Sequence, residues 1–193
     1  MALPPRLRDT FLPQELAFAC EQSEHVEVVP LFAMDRLRTI SGLYGPFVPP
    51  QKCKVPLWLA IQLKRKQACR IVSPEWMSIE RLEGFLNDET SHPVFSKLPP
   101  RYLEISRSIL DVASDDVPSS DKVRSILKDL REVRQSKITI EAVDGIHTEV
   151  DHLSYIELND IRPSYSLAFK RLVQLDPQEA IRRGEEDGAE DAF

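Results

Sequence analysis

The sequence predicts an α+β fold, with a small N-terminal β-rich (mixed α/β) domain followed by a larger all-α helical-bundle domain. Up to Val72 the chain is cut by prolines into short pieces, several of them rich in β-branched residues. After Ser73 it runs in long segments whose apolar residues recur every three or four positions. The end has a third texture. From Asp176 to Phe193 seven acidic side chains stand against two basic ones, a net of −5 out of the whole chain's −6. Such a segment is expected to stay solvated and disordered. The expected domains are residues 1–72, residues 73–175 and an acidic tail, 176–193.

Taken in order, Pro13 to Cys20 suits a short amphipathic helix, and VEVVPLF (Val26 to Phe32) suits a strand. RLRTISGLYGPF (Arg36 to Phe47) predicts one or two further strands, with Gly42 and Gly45 at turns or bulges. Pro56 fits the first turn of a helix, where its missing N–H is not needed, and Leu57 to Leu63 continue without a breaker. Lys64, Arg65 and Lys66 fall at the C-terminal end of that helix, where the dipole favours cations. CRIV (Cys69 to Val72) predicts a closing strand. Ser73-Pro74 has the form of a helix start, with Ser as N-cap and Pro first. Trp76, Ile79, Leu82, Phe85 and Leu86 keep one face apolar. Pro93 and Pro99-Pro100 bound a linker, and Tyr102, Ile105, Ile109 and Val112 mark the next helix. A longer stripe follows from about Asp121 to Val143, with Lys137 at an apolar position, where its alkyl stem is expected to lie along the face. Asp144-Gly145 ends it. Ser154 and Glu157 have the spacing of a capping box, opening a helix that Pro163 must kink or restart before about Leu175.

Chemistry is sparse. His147 and His152, with Glu149 and Asp151 between them, invite a metal reading, but a spacing of five does not place two ligands on one helical face. His25 and His92 are isolated. No Cys-x-x-Cys, glycine-rich phosphate loop or Gly-x-Ser-x-Gly elbow occurs. Asp115-Asp116 reads as the turn after a helix rather than a catalytic pair. Cys20, Cys53 and Cys69 are odd in number and widely spaced, which argues against a disulfide framework. No segment approaches the ~20 apolar residues of a membrane span, and the start does not resemble a secretory signal. No cofactor is expected. The cations Lys52, Lys54, Lys64, Arg65, Lys66 and Arg70 could meet phosphates, but no aromatic residues interleave with them to stack bases. On the long helix, Arg124, Asp129, Arg131, Glu132, Arg134 and Lys137 read first as a solvated face with i,i+4 pairs. The alternative is that some of them, Arg134 above all, form buried pairs between chains.

The order of LPQELAFACE, VEVVP, GPF, VPLWLA, PEWM, KLPPRYLEIS, VRSILKDLREVRQSKI and LSYIELNDIRP, spanning nearly everything outside the tail, resembles the GINS subunits of eukaryotic DNA replication. Within them the likeness is to the family of the second partner of Sld five. Ala17, Cys20 and Leu158 depart from the family pattern without altering the pattern of burial. The resemblance implies no catalytic activity. It implies a scaffold role in a heterotetramer with three other GINS subunits, which joins a RecJ-like helicase accessory protein to the minichromosome maintenance ring in the nucleus. On that basis Tyr102, Tyr155, Tyr165 and Phe169, with Arg124, Asp129 and Arg134, are expected at interfaces. Phe47, Trp58 and Trp76 are expected to pack the two domains together across the proline-rich segment from Gly45 to Lys66. A nucleic-acid-binding adaptor working through Lys64 to Arg70 is the alternative function.

Overall fold

The computed structural model describes residues 10–144 and 152–175, with backbone alone for residues 140–144, 169 and 172–175. They fall into two compact units, residues 12–157 and residues 10–11 with 158–175. Gly145, His147, Glu149, Asp151 and the acidic tail lie outside the described residues.

The first unit opens with α1 (Pro13–Ser23), after which β1 (His25–Pro30), β4 (Cys53–Pro56) and β5 (Cys69–Val72) form an antiparallel sheet in the order β4-β1-β5. Between β1 and β4, β2 (Leu37–Arg38) and β3 (Leu43–Tyr44) make a separate two-stranded hairpin. The β-branched run therefore occupies the centre of the sheet. Its Val26 and Val28 point inward, opposite Val55 and Ile71, while Glu27 points out. Helix α2 (Leu57–Arg65) connects β4 to β5 and buries Leu57, Leu59, Ala60 and Ile61. It ends in a Schellman motif: Gln67 takes a positive φ of 54°, Gln67 N–H donates to Lys64 and Ala68 N–H to Leu63. No glycine marks this stop; the cations Lys64 to Lys66 were its signal in the sequence.

Helices α3 (Ile79–Ser91), α4 (Tyr102–Val112) and α5 (Ser120–Asp144) follow, and α6 (Tyr155–Leu175) contributes its first turn to the same unit before continuing into the second. One continuous core joins Val28, Val55 and Leu57 to Met77, Leu82, Ile109, Leu127 and Leu130. Each such side chain contributes about 1.5–3 kcal/mol when fully buried.

Two local expectations need correction. Ser73-Pro74 does not open the α-helix. Pro74 is extended, a single 3-10 turn covers Glu75–Met77 and buries Met77, and the α-helix starts after Ser78. Cys53–Pro56 is a strand within what read as a stiff approach to α2; its proline stands last in an edge strand, where a missing N–H is tolerated. At Lys137 the structure adds what the sequence did not suggest: the ammonium is carried inward to a carboxylate, as described below.

In the proline-rich segment, Phe47 is fully buried and stacks on Phe32 with centroids 5.5 Å apart. Its backbone exchanges two hydrogen bonds with Met34, of 2.8 and 2.9 Å. Gly45, at φ 104°, leaves the room this ring needs, since a Cβ there would stand 3.1 Å from it. Trp58 and Trp76 are half-buried against the core. Phe47→Ala should cost about 3–5 kcal/mol in urea unfolding. Trp58→Ala should cost less, on the order of 1–2 kcal/mol, because its ring keeps some solvent. Equal losses would contradict this account.

Candidate functional site

On α5 the buried positions Val123, Leu127 and Leu130 recur at spacings of four and three. The next two positions in that register hold Arg134 and Lys137. Arg134 is 0% exposed, and a buried cation must find anions. Its Nε donates to Glu157 Oε1 at 2.7 Å and its Nη2 to Oε2 at 3.0 Å, a two-pronged pairing. Nη1 donates to Glu89 Oε2 at 3.1 Å, and Nη2 also to the His152 carbonyl at 2.8 Å. The guanidinium lies 5.1 Å from the centre of the Phe95 ring. Lys137 Nζ adds a 3.0 Å bond to Glu89 Oε1 and one of 2.6 Å to the His92 carbonyl.

The carboxylates are held equally firmly. Glu89 accepts from the Ser96 N–H at 3.0 Å and from the Ser96 hydroxyl. Glu157 accepts from the Ser154 N–H at 2.7 Å and from Tyr102 Oη at 3.2 Å. Two cations thus meet two carboxylates among α3, α5 and the first turn of α6. Burial pushes both carboxyl pKa values up, but the bonds from Ser96 and Lys137 to Glu89, and from Arg134 to Glu157, outweigh it and hold both below the usual range. Burial acts to lower the Arg134 pKa, and Glu157 more than reverses it. Burial, then Glu157, pushes the Tyr102 phenol up.

A second ionic cluster ties the sheet region to the helices. Lys64, on the last turn of α2, reaches Asp115 at 2.7 Å and Asp116 at 2.8 Å, and Asp116 also accepts the Ile71 N–H of β5 at 2.8 Å. Burial acts to lower the Lys64 pKa, but the two aspartates raise it on balance. The adjacent aspartates that follow α4 are therefore a clamp on α2 and β5. Cys20 and Cys69 are buried, with thiol pKa values pushed up to about 12 and about 11, chiefly by burial. They remain protonated thiols at neutral pH and are poor nucleophiles.

Of the residues expected at interfaces, the structure turns two inward. Tyr102 is fully buried on Glu157, and Arg134 is neither solvated nor left for another chain, because its anions come from its own. Arg124 is exposed and faces Asp111 at 3.7 Å, and Asp129 is exposed. Lys128 and Glu132 form the kind of i,i+4 pair expected of that face, at 3.7 Å. Tyr155 is half-exposed beneath the Arg101 guanidinium, 4.9 Å from its ring centre. Tyr165 is half-buried, and the Phe169 side chain lies outside the described residues. Ser154 and Glu157 form the expected capping box, with Glu157 N–H to Ser154 Oγ at 3.4 Å. Its second role, as counter-ion, was hidden. The one available signal was that Arg134 and Lys137 continue the buried register.

Comparison with known proteins matches residues 12–72 to the PSF2 N-terminal domain and residues 76–170 to the GINS complex protein helical bundle domain. The chain belongs to the PSF2 family. It is 40% identical over 184 residues to the DNA replication complex GINS protein psf2 of Schizosaccharomyces pombe, covering 93% of this chain and 100% of that one. Identity to the PSF2 proteins of Xenopus laevis and Homo sapiens is 34% and 37%, over 92% and 75% of this chain and 97% and 81% of theirs. The buried ion cluster lies in the helical-bundle part of this PSF2-family chain, and the Lys64 clamp joins that part to the PSF2 N-terminal domain.

Replacing Arg134 by Met leaves buried Glu157 without a counter-ion and Glu89 with Lys137 alone, and should cost about 3–5 kcal/mol in chemical unfolding. The pH dependence has a definite sign. Carboxyls held below their ordinary 4.5 add stability that is complete above that value and is lost as pH falls through their folded pKa values. The gap in Tm between wild type and R134M should therefore narrow below pH 4.5. A gap constant between pH 3 and 7 would contradict the assignment. Asp116→Ala strands the Ile71 N–H and leaves Lys64 with Asp115 alone, and should cost about 1–3 kcal/mol in thermal or urea unfolding.

Proposed function

We propose that this chain is a non-catalytic scaffold subunit of the heterotetrameric GINS complex, working in the nucleus. In this reading it assembles with three other GINS subunits, and the assembly joins the minichromosome maintenance ring and the RecJ-like accessory protein into the replicative helicase for initiation and fork progression. The observation that carries it is the match to both parts of the PSF2 family in order, together with identity over the full length of a relative named as a DNA replication complex GINS protein. The domain division we adopt is a sheet region, residues 1–72, a helical region, 73–175, and an acidic tail.

The geometry fits a part that works by surface. The buried ions of the Arg134 cluster are satisfied by one another, so they supply rigidity rather than a reactive group. Large apolar side chains nevertheless stand in solvent: Phe18 on α1, Leu31 after β1, Ile40 and Leu43 in the hairpin and Leu167 on α6. Leu167 shares α6 with Tyr155, Tyr165 and Phe169, which we retain as interface residues along with Arg124 and Asp129. An obligate interface buries side chains of this type over more than ~2,000 Å².

The adaptor alternative loses one of its cations, since Lys64 is engaged by Asp115 and Asp116; Arg65, Lys66 and Arg70 remain exposed. Co-expression with the three sister subunits, followed by light-scattering mass measurement, should give a stable 1:1:1:1 particle, with the chain alone poorly soluble. A well-behaved monomer that binds DNA in a salt-dependent manner, and loses that binding when Arg65, Lys66 and Arg70 are neutralised, would favour the adaptor.

A further inference from the structure

Glu104 stands apart from the other buried charges. It is 3% exposed on α4, and its Oε2 has no hydrogen-bond partner, alone in this among the buried side-chain oxygens and nitrogens of the described residues. Burial pushes its pKa up, opposed by a hydrogen bond from its own backbone and then by Arg101, while Glu157 and Glu24 add smaller rises. The Arg101 guanidinium is itself taken up by the Ala19 carbonyl, the Ser23 hydroxyl and Glu24.

Glu104 also forms part of the wall of a groove of about 570 Å³ among α1, α2 and α4. Ala17, Ile61 and Val112 supply apolar wall, and Glu21 stands at the same groove as a second carboxylate. Glu21 receives only a long 3.4 Å bond from Ser108. The third acid there, Asp111, already faces Arg107 at 3.9 Å and Arg124 at 3.7 Å. The groove wall also carries Arg65 and Arg107. Arg107 is the partner of Asp111, and among the described residues neither arginine forms an ion pair with Glu104 or Glu21, so these two carboxylates border an amphipathic groove without a paired cation.

We propose that this groove receives the arginine or lysine side chain of a sister subunit, its alkyl stem along the apolar wall and its charge against Glu104 and Glu21. An arginine or lysine matches both features, an aliphatic stem for the wall and a cationic head for the acids. The partner is a permanent one. A buried carboxylate without a counter-ion is a standing cost to a marginally stable fold, and a transient visitor would leave it unrelieved for most of the chain's life. The assignment rests on the scaffold reading above.

The test uses full-length chain assembled with its three sister subunits, comparing wild type with Glu104→Gln and Glu21→Gln. Glu104→Gln keeps the shape and removes the charge, so it should weaken assembly at least tenfold on dilution while leaving the melting temperature of the refolded chain alone equal or higher. Glu21→Gln, at a position less enclosed than Glu104, should weaken assembly in the same direction without loss of fold by circular dichroism. A wild-type tetramer whose dissociation neither substitution changes by more than twofold overturns the groove assignment and leaves the scaffold reading intact. A lower melting temperature for the isolated Glu104→Gln chain, with assembly unchanged, would mean that a cation of this same chain fills the groove, and would also overturn it. Loss of self-association in place of mixed assembly would assign the groove to a second copy, against the proposal. A wild-type chain that does not join its sisters at all strikes the scaffold reading itself.

Discussion

A guanidinium withdrawn from water sits where α3, α5 and the first turn of α6 meet, and the helices around it are placed so that it is never without anions. The Arg134 fork takes both oxygens of Glu157 and one of Glu89, while Lys137 takes the other oxygen of Glu89. Such a cluster gains little over a well-packed apolar one, because desolvating four charges offsets much of their attraction. What it adds is register. Leucines can slide past one another by part of a turn at modest cost, but a two-pronged pairing cannot, so α5 and the first turn of α6 have one relative setting. A subunit that must present a fixed surface to neighbours benefits from that restriction more than from additional stability.

The same logic holds at the junction of the sheet region and the helices. The prolines of the Gly45 to Lys66 segment read as the stiffening element, with Phe47, Trp58 and Trp76 as pins. Phe47 stacks on Phe32 within the β-rich part. The named polar ties across the junction come from elsewhere: Lys64 and Ile71 converge on Asp116, and Arg101 reaches back to the Ala19 carbonyl. An apolar contact tolerates sliding, whereas a charge-assisted bond to a backbone N–H fixes both distance and direction.

How far the sequence revealed this depended on the range of the interaction. Periodicity found α4 and α5 within a residue or two, and the β-branched run found β1, because these patterns act over neighbouring positions. The capping box of Ser154 and Glu157 was legible for the same reason. Its second use was not, since Arg134 lies 23 residues away in the chain. Ser73-Pro74 misled because a serine before proline has the local grammar of a helix start, while the demand that buries Met77 in a 3-10 turn is tertiary. The groove around Glu104 was invisible for a related reason: Glu104, Glu21 and Ile61 come together only when α1 and α2 are packed against α4.

The bond from Ile71 to Asp116 has a consequence for what the small sheet can do. β5 is one rim of a three-stranded sheet, and a rim of unpaired amide groups invites a stray strand to add on. Here a side chain from the helical region already occupies one of those amides. The opposite rim, β4, finishes in Pro56, which has no N–H to offer. Lengthening the sheet through another polypeptide is thus discouraged on both sides, which favours side-chain surfaces over shared β-structure when this domain meets its neighbours.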